Sequence, residues 1–216
     1  MGTWINLAER NEDMRSFFAE KASTYDEVHG QPSLMDTKLT IPPVLPEDTK
    51  KLLDLGAGTG LELIAVFERF PDVKVTAIDI TEEMLAELRK RPFASSVESI
   101  CGDFFSVDFG NGYDAVISSS ALHHFDREEK ARLYRKIFDA LKPGGLFINA
   151  DCIASSLEDE EFVFSEYRNN RAAYKHLDTP LYVGTEETLL REAGFTRFES
   201  TDLENPKYKR IIAGKE

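Results

Sequence analysis

Three glycines fall within five positions of KLLDLGAGTGLELIAVF, Lys51 to Phe67, between one apolar run and the next. Glycine weakens the interior of a helix or a strand, so such a cluster marks a backbone that turns tightly or is closely approached. An apolar run, a glycine-rich turn and a second apolar run with helical spacing read as strand, turn and helix. This unit limits the fold more than any other feature, because strands that feed helices build mostly parallel sheets. Position 61 is Leu, so the spacing is GxGxG and departs from the GxGxxG of dinucleotide-binding turns.

The alternation continues downstream. Lys51–Leu55, Val73–Ile78, Val97–Cys101, Tyr113–Ser118 and Leu146–Ala150 read as short strands, bounded by Gly, Pro or Asp and often continuously apolar. Helices are predicted over Leu61–Phe70, stopped by Pro71, and over EEMLAELRKR, capped by Thr81, with acids in its first turn and bases in its last. Asp126 and Glu129 form a capping-box pattern, opening a helix with Leu133, Ile137 and Leu141 on one stripe. Thr185 is the expected cap of EETLLREA, and Phe195–Leu203 and Tyr208–Ala213 read as a hairpin around Asn205-Pro206. The pattern predicts an α/β fold with a doubly wound, mostly parallel seven-stranded sheet and an antiparallel C-terminal hairpin strand. Residues 46–216 form the main domain. Two stretches break the alternation: residues 1–45, a helical cap that includes Asn11–Tyr25, and 155–184, an inserted lid. In doubly wound sheets ligands bind outside the carboxyl ends of the strands, where such additions lie.

The chain has 216 residues, enough for one well-buried domain with additions. Its 26 Lys and Arg stand against 39 Asp and Glu, a net charge of −13 that repels nucleic acid and anionic membranes. No stretch is long and apolar enough for a membrane span and the start is polar, so a cytoplasmic protein is expected. Cys101 and Cys152 lack the spacing of a zinc site or a disulfide framework and read as inert thiols.

LLDLGAGTG, with Asp54 two residues before the first glycine, resembles motif I of the class I S-adenosylmethionine-dependent methyltransferases. VTAID resembles the second motif, GDFF the third, YDAVISSSALHHF the fourth-strand motif and LKPGGLFI the turn before the fifth strand. The resemblance covers Lys50–Asp151 and thins elsewhere. It implies a Rossmann-like methyltransferase fold with S-adenosyl-L-methionine as cofactor. In that reading the turn Gly56, Ala57, Gly58 and Gly60, with Asp54, meets the amino-acid tail. Asp79 takes the ribose hydroxyls, with Ile80 and Met84 beside it. Gly102, Asp103 and Phe104 meet the adenine, while one of Phe104 and Phe105 belongs to the core. Ser118 and Ser119 border the site, and Tyr25, in FAEKASTYDEV, resembles the segment that closes over the cofactor in quinone-biosynthesis methyltransferases.

Transfer of a methyl from a sulfonium is an in-line displacement, so positioning supplies much of the rate and a base is needed only when the acceptor loses a proton. His123 and His124 follow the fourth strand, where the resemblance places the acceptor; adjacent in sequence, they are expected to point apart. One of them is a candidate base or hydrogen-bond partner, and no metal is expected from such a pair. The candidate lid contributes Tyr167, Arg171, Tyr174 and Tyr182 as a mixed aromatic and basic set for an acceptor with a ring or carboxylate. The substrate is expected to be a small molecule, with the acceptor atom, O, N, C or S, open, and a homodimer is allowed. Two alternatives share the pocket: a carboxy-S-adenosylmethionine synthase of tRNA modification, and a non-catalytic S-adenosylmethionine-binding protein. Leu61 and the lack of a well-placed Tyr-x-x-x-Lys pair disfavour an NAD-dependent oxidoreductase.

Overall fold

A computed structural model describes residues 7–170 and 178–216. The chain opens with α1 (Leu7–Ala19), a turn of 3-10 helix (Ala22–Thr24), α2 (Tyr25–His29) and α3 (Pro32–Leu39). Strand–helix alternation then begins: β1 (Lys51–Leu55), α4 (Leu61–Arg69), β2 (Lys74–Asp79), α5 (Glu82–Leu88), β3 (Val97–Cys101) and β4 (Tyr113–Ser119). The chain continues with α6 (Arg127–Ala140), β5 (Leu141–Cys152), α7 (Leu157–Asn169), α8 (Val183–Ala193), β6 (Arg197–Asp202) and β7 (Tyr208–Gly214). Among the described residues no helix is long and apolar enough to cross a membrane.

The seven strands form one sheet in the order β3-β2-β1-β4-β5-β7-β6. β1 to β5 pair in parallel, whereas β7 lies antiparallel between β5 and β6. The strand order reverses between β1 and β4, which opens a crevice at their carboxyl ends. Successive side chains of a strand face opposite ways. Leu53, Val116 and Phe147 therefore pack under α6 and α8, while Leu52, Ala115 and Ile148 pack under α4 and α5. All seven residues of β4 are buried, as a central strand covered on both faces must be.

Local chemistry shifts several boundaries. α5 ends at Leu88 rather than running through Arg91, because Lys90 and Arg91 bond three residues back and the Arg91 guanidinium turns to Asp26 and to the Thr59 carbonyl. Thr81 makes no side-chain cap; its N–H instead donates to Asp79 Oδ1 at 2.8 Å. α8 starts at Val183, before the expected cap Thr185, whose hydroxyl donates to Glu160. Leu141 opens β5 instead of closing α6, and the strand shifts register across Pro143-Gly144-Gly145. The Asp126–Glu129 capping box forms as expected.

α6 and α8 are joined by a buried ion pair of Lys130 with Glu186, whose other oxygen accepts from the Tyr134 hydroxyl. Removing one member of such a pair leaves an uncompensated buried charge. Lys130→Met is expected to cost about 3–5 kcal/mol in urea unfolding. The double variant Lys130→Met/Glu186→Leu should lose less than the single one.

Candidate active site

The turn after β1 places three residues in the left-handed region: Gly56 (φ 79°), Gly58 (φ 50°) and Gly60 (φ 76°). Gly56 is also sterically obligatory, since a Cβ there would lie 2.4 Å from Ala121 Cβ in the loop after β4. The Gly56 and Ala57 N–H groups donate to the Ile78 carbonyl, so the turn folds across the end of β2. Asp79, at that strand end, holds the turn through Oδ2, which accepts the Gly58 N–H at 2.9 Å. Burial raises the Asp79 pKa against the N–H groups of Thr81 and Gly58 that favour its charge. Each carboxylate oxygen keeps a second lone pair, so hydroxyl donors of a ligand can still be accepted.

A cleft lies over this turn. Gly56, Gly58, Asp79, Ile80 and Met84 form one wall, and Gly102, Asp103 and Phe104 form another. Ser119 and His124 line it from the end of β4, and Tyr25 closes it from α2. Phe105 packs away from the cleft, against Phe125 and the Arg132 guanidinium. Buried among carboxylates, Tyr25 has its pKa pushed upwards, by desolvation first and then by Glu62 and Asp79, so it remains a neutral phenol.

Other candidates serve the walls rather than line the cleft. Asp54 is fully buried beneath the turn, paired with Glu62; burial and the neighbouring acid hold its pKa well above the usual carboxylate range. Ala57 sits in the core, and Gly60 opens α4 against Leu88. The Ser118 hydroxyl donates to the Leu55 carbonyl at 2.8 Å. The Tyr167 hydroxyl accepts the Asp178 N–H, and the Tyr182 N–H donates to Glu160; neither ring lines this cleft or its neighbour. Arg171 and Tyr174 lie outside the described residues.

The histidines do not point apart. Their ring centroids lie 4.0 Å from each other, and both reach Asp178: His123 Nε2 at 3.4 Å and His124 Nδ1 at 3.2 Å. The three ligand atoms fall within 4.8 Å of one another, a grouping that adjacency in sequence alone did not suggest. His123 Nδ1 also lies 2.5 Å from Asp151 Oδ1. Burial would push the His123 pKa down, but Asp151 and then Asp178 outweigh it and raise it to about 9. At neutral pH His123 is therefore an imidazolium and has no lone pair with which to act as a base. Asp151 is the hub: its Oδ2 takes the N–H groups of Leu122 and His123, and its Oδ1 that of Cys152.

Asp26 and Asp151 carry no motif of their own in the sequence reading, yet both position the site. Asp26, next to Tyr25, accepts the Thr59 hydroxyl at 2.6 Å and pairs with Arg91, fastening α2 to the glycine turn. Only its place in the YD dipeptide hinted at this role. The signal for Asp151 was its position at the end of the fifth strand, beside the crevice.

Whether S-adenosylmethionine fits can be judged from the walls themselves. The buried Ser119 hydroxyl has no hydrogen-bond partner among the described residues and lines the cleft, Gly56 and Gly58 present bare backbone to it, and Asp79 and Asp103 line it with carboxyl groups suited to a cationic ligand. With the sheet order and its switch point, these features match those of class I S-adenosylmethionine-dependent methyltransferase domains. Residues 52–145 match the family described as methyltransferase domain. The malonyl-[acyl-carrier protein] O-methyltransferase of Acetivibrio thermocellus is 29% identical over 134 residues, 62% of this chain and 47% of that protein. The carboxy-S-adenosyl-L-methionine synthase of Nautilia profundicola is 25% identical over 169 residues, 70% of this chain and 72% of that one. A protein of Nostoc punctiforme PCC 73102 assigned as an O-methyltransferase superposes with a TM-score of 0.73 at 26% identity, over 92% of this chain and 60% of its own. The chain thus spans about half the length of the first of these relatives.

Two outcomes follow from the geometry. Gly56→Ala should lower stability in urea unfolding by at least about 2 kcal/mol, from the left-handed backbone alone, and Ala121→Gly should recover part of the loss. The folded-state pKa of His123 lies above its ordinary 6.5, so its protonation supports the fold fully below pH 6.5 and that support vanishes as pH rises through about 9. Thermal melts of the wild type should fall more steeply over this range than those of His123→Asn, and the imidazole resonances should titrate near its upper end.

Proposed function

We propose that the protein transfers the methyl group of S-adenosylmethionine to a small-molecule acceptor. The observation that carries this reading is a second cleft, of about 870 Å³, which shares Phe18, Tyr25, Ser120 and His124 with the first. Two joined clefts at a switch point suit two reactants that meet at a common wall. The sulfonium supplies an activated methyl: the acceptor's lone pair forms the new bond to carbon while the carbon–sulfur pair passes to sulfur. The protein's contribution is alignment. The Asp79 and Asp103 carboxylates and the glycine turn fix one reactant, the Asp151 hub fixes the loop that carries the shared wall, and Tyr25 and Phe18 exclude water. An acceptor that loses a proton would release it to solvent or to a group other than the imidazolium of His123.

A second reading, a carboxy-S-adenosylmethionine synthase, is favoured by the balanced coverage of the Nautilia relative, about seven-tenths of both chains. The two differ in where the new mass appears. Calorimetry should show that S-adenosylmethionine binds whereas NAD does not. Asp79→Ala should weaken that binding at least tenfold, about 1.4 kcal/mol. Mass spectrometry after incubation with a panel of phenols, amines and carboxylic acids should find a methylated acceptor; a heavier, carboxylated cofactor would favour the second reading.

A further inference from the structure

The second cleft carries charge of the opposite sign to the rest of the molecule. Lys21 and Lys38 line it, against Asp36 as the one acidic lining residue, in a chain of net charge −13; the His123 imidazolium beside them is already paired with Asp151 and Asp178. Asp36 is already engaged, accepting the Glu204 N–H at 3.1 Å. Lys21 is exposed and lies over the Phe17 ring. Lys38 differs from it: the residue is only 4% exposed, yet it forms no ion pair and donates no side-chain hydrogen bond among the described residues. Asp54 and Glu62, a buried pair behind the cleft, feel the Lys38 charge, yet burial still holds both pKa values above the ordinary carboxylate range and neither accepts a hydrogen bond from the ammonium. A buried ammonium without an acceptor is costly, and an anion entering the cleft would relieve that cost. Flat rings line it as well, Phe17, Phe18 and the Tyr25–His29 stack, whose rings lie 3.9 Å apart and within 9° of parallel, beside the polar Thr37, Ser120, His124, Asn205 and Tyr208.

We propose that the acceptor is a carboxylic acid with a planar apolar body, its carboxylate bound by Lys38 and its body lying along Phe18 and Tyr25 toward the shared wall. The inference rests on the methyl-transfer reading of the two clefts. It is tested by calorimetry on protein saturated with S-adenosylhomocysteine, with benzoate and cinnamate as probes and benzamide and cinnamamide as their neutral counterparts. The acids should bind and the amides should bind at least tenfold more weakly. Lys38→Met should lose at least tenfold in affinity for the acids while binding S-adenosylhomocysteine as the wild type does, which also shows that the variant is folded. Lys38→Arg, which keeps the charge, should retain most of the acid binding. Equal binding of acid and amide, undiminished acid binding by Lys38→Met, or no saturable binding of any probe at millimolar concentrations overturns the proposal. Failure of the wild type to bind S-adenosylhomocysteine instead overturns the underlying reading of the first cleft.

Discussion

There is no room for a methyl group on Gly56. Its missing Cβ lets the loop after β4 approach the turn after β1 until Ala121 is in contact with it, and the wall that this loop gives the first cleft depends on that approach. The same loop is anchored from its far side by Asp151, through two backbone N–H groups and an imidazole. A loop fixed at both faces holds Ser119, Ser120 and His124 in place before any ligand arrives, which removes part of the entropy that binding would otherwise cost. Ser120 adopts a left-handed backbone (φ 53°) where the two clefts join. Strain of this kind persists only where the surroundings over-determine it.

Electrostatics divides the site. Carboxylates surround the first cleft, and two of the acids behind it, Asp54 and Glu62, are crowded enough to have their charge suppressed. Lys21 and Lys38 face the second cleft. A sulfonium and an anion placed in the two halves would each meet favourable charge. They would also attract one another across the shared wall, in the direction along which the methyl must travel.

Much of this was legible in the sequence because short-range rules govern it. The β1–turn–α4 unit, the capping box of Asp126 and the strands were written in glycine spacing, side-chain oxygens and apolar runs. Gly56, Gly58, Asp79, Asp103 and Phe104 meet around one cleft because each ends or follows a parallel strand, and parallel strands deliver their carboxyl ends to one edge. What escaped depends on contacts distant in sequence. His123 and His124 converge because Asp178, more than fifty positions on, draws both rings to one carboxylate. Lys38 carries no motif in the sequence, and its burial follows only once α3 is docked against the sheet. Thr81 and Thr185 have the right chemistry for caps, but Asp79 and Glu160 use the neighbouring groups differently. Asp54, expected beside the ligand, is fully buried beneath the glycine turn and does not line the first cleft.

The clasp between Asp26 and Arg91 bears on how occupants leave. Its two side chains keep 44% and 21% of their surface exposed, and a pair so wetted contributes no more than about 1 kcal/mol. Such a bond alone would not hold α2 shut against thermal agitation, although with the Thr59–Asp26 hydrogen bond it would fix where the segment seats. Departure of a spent nucleoside would then need no unfolding of the sheet beneath. A brief unfastening at the rim suffices, more frequent in concentrated salt, while Thr59 and the glycine turn stay in register for the next arrival.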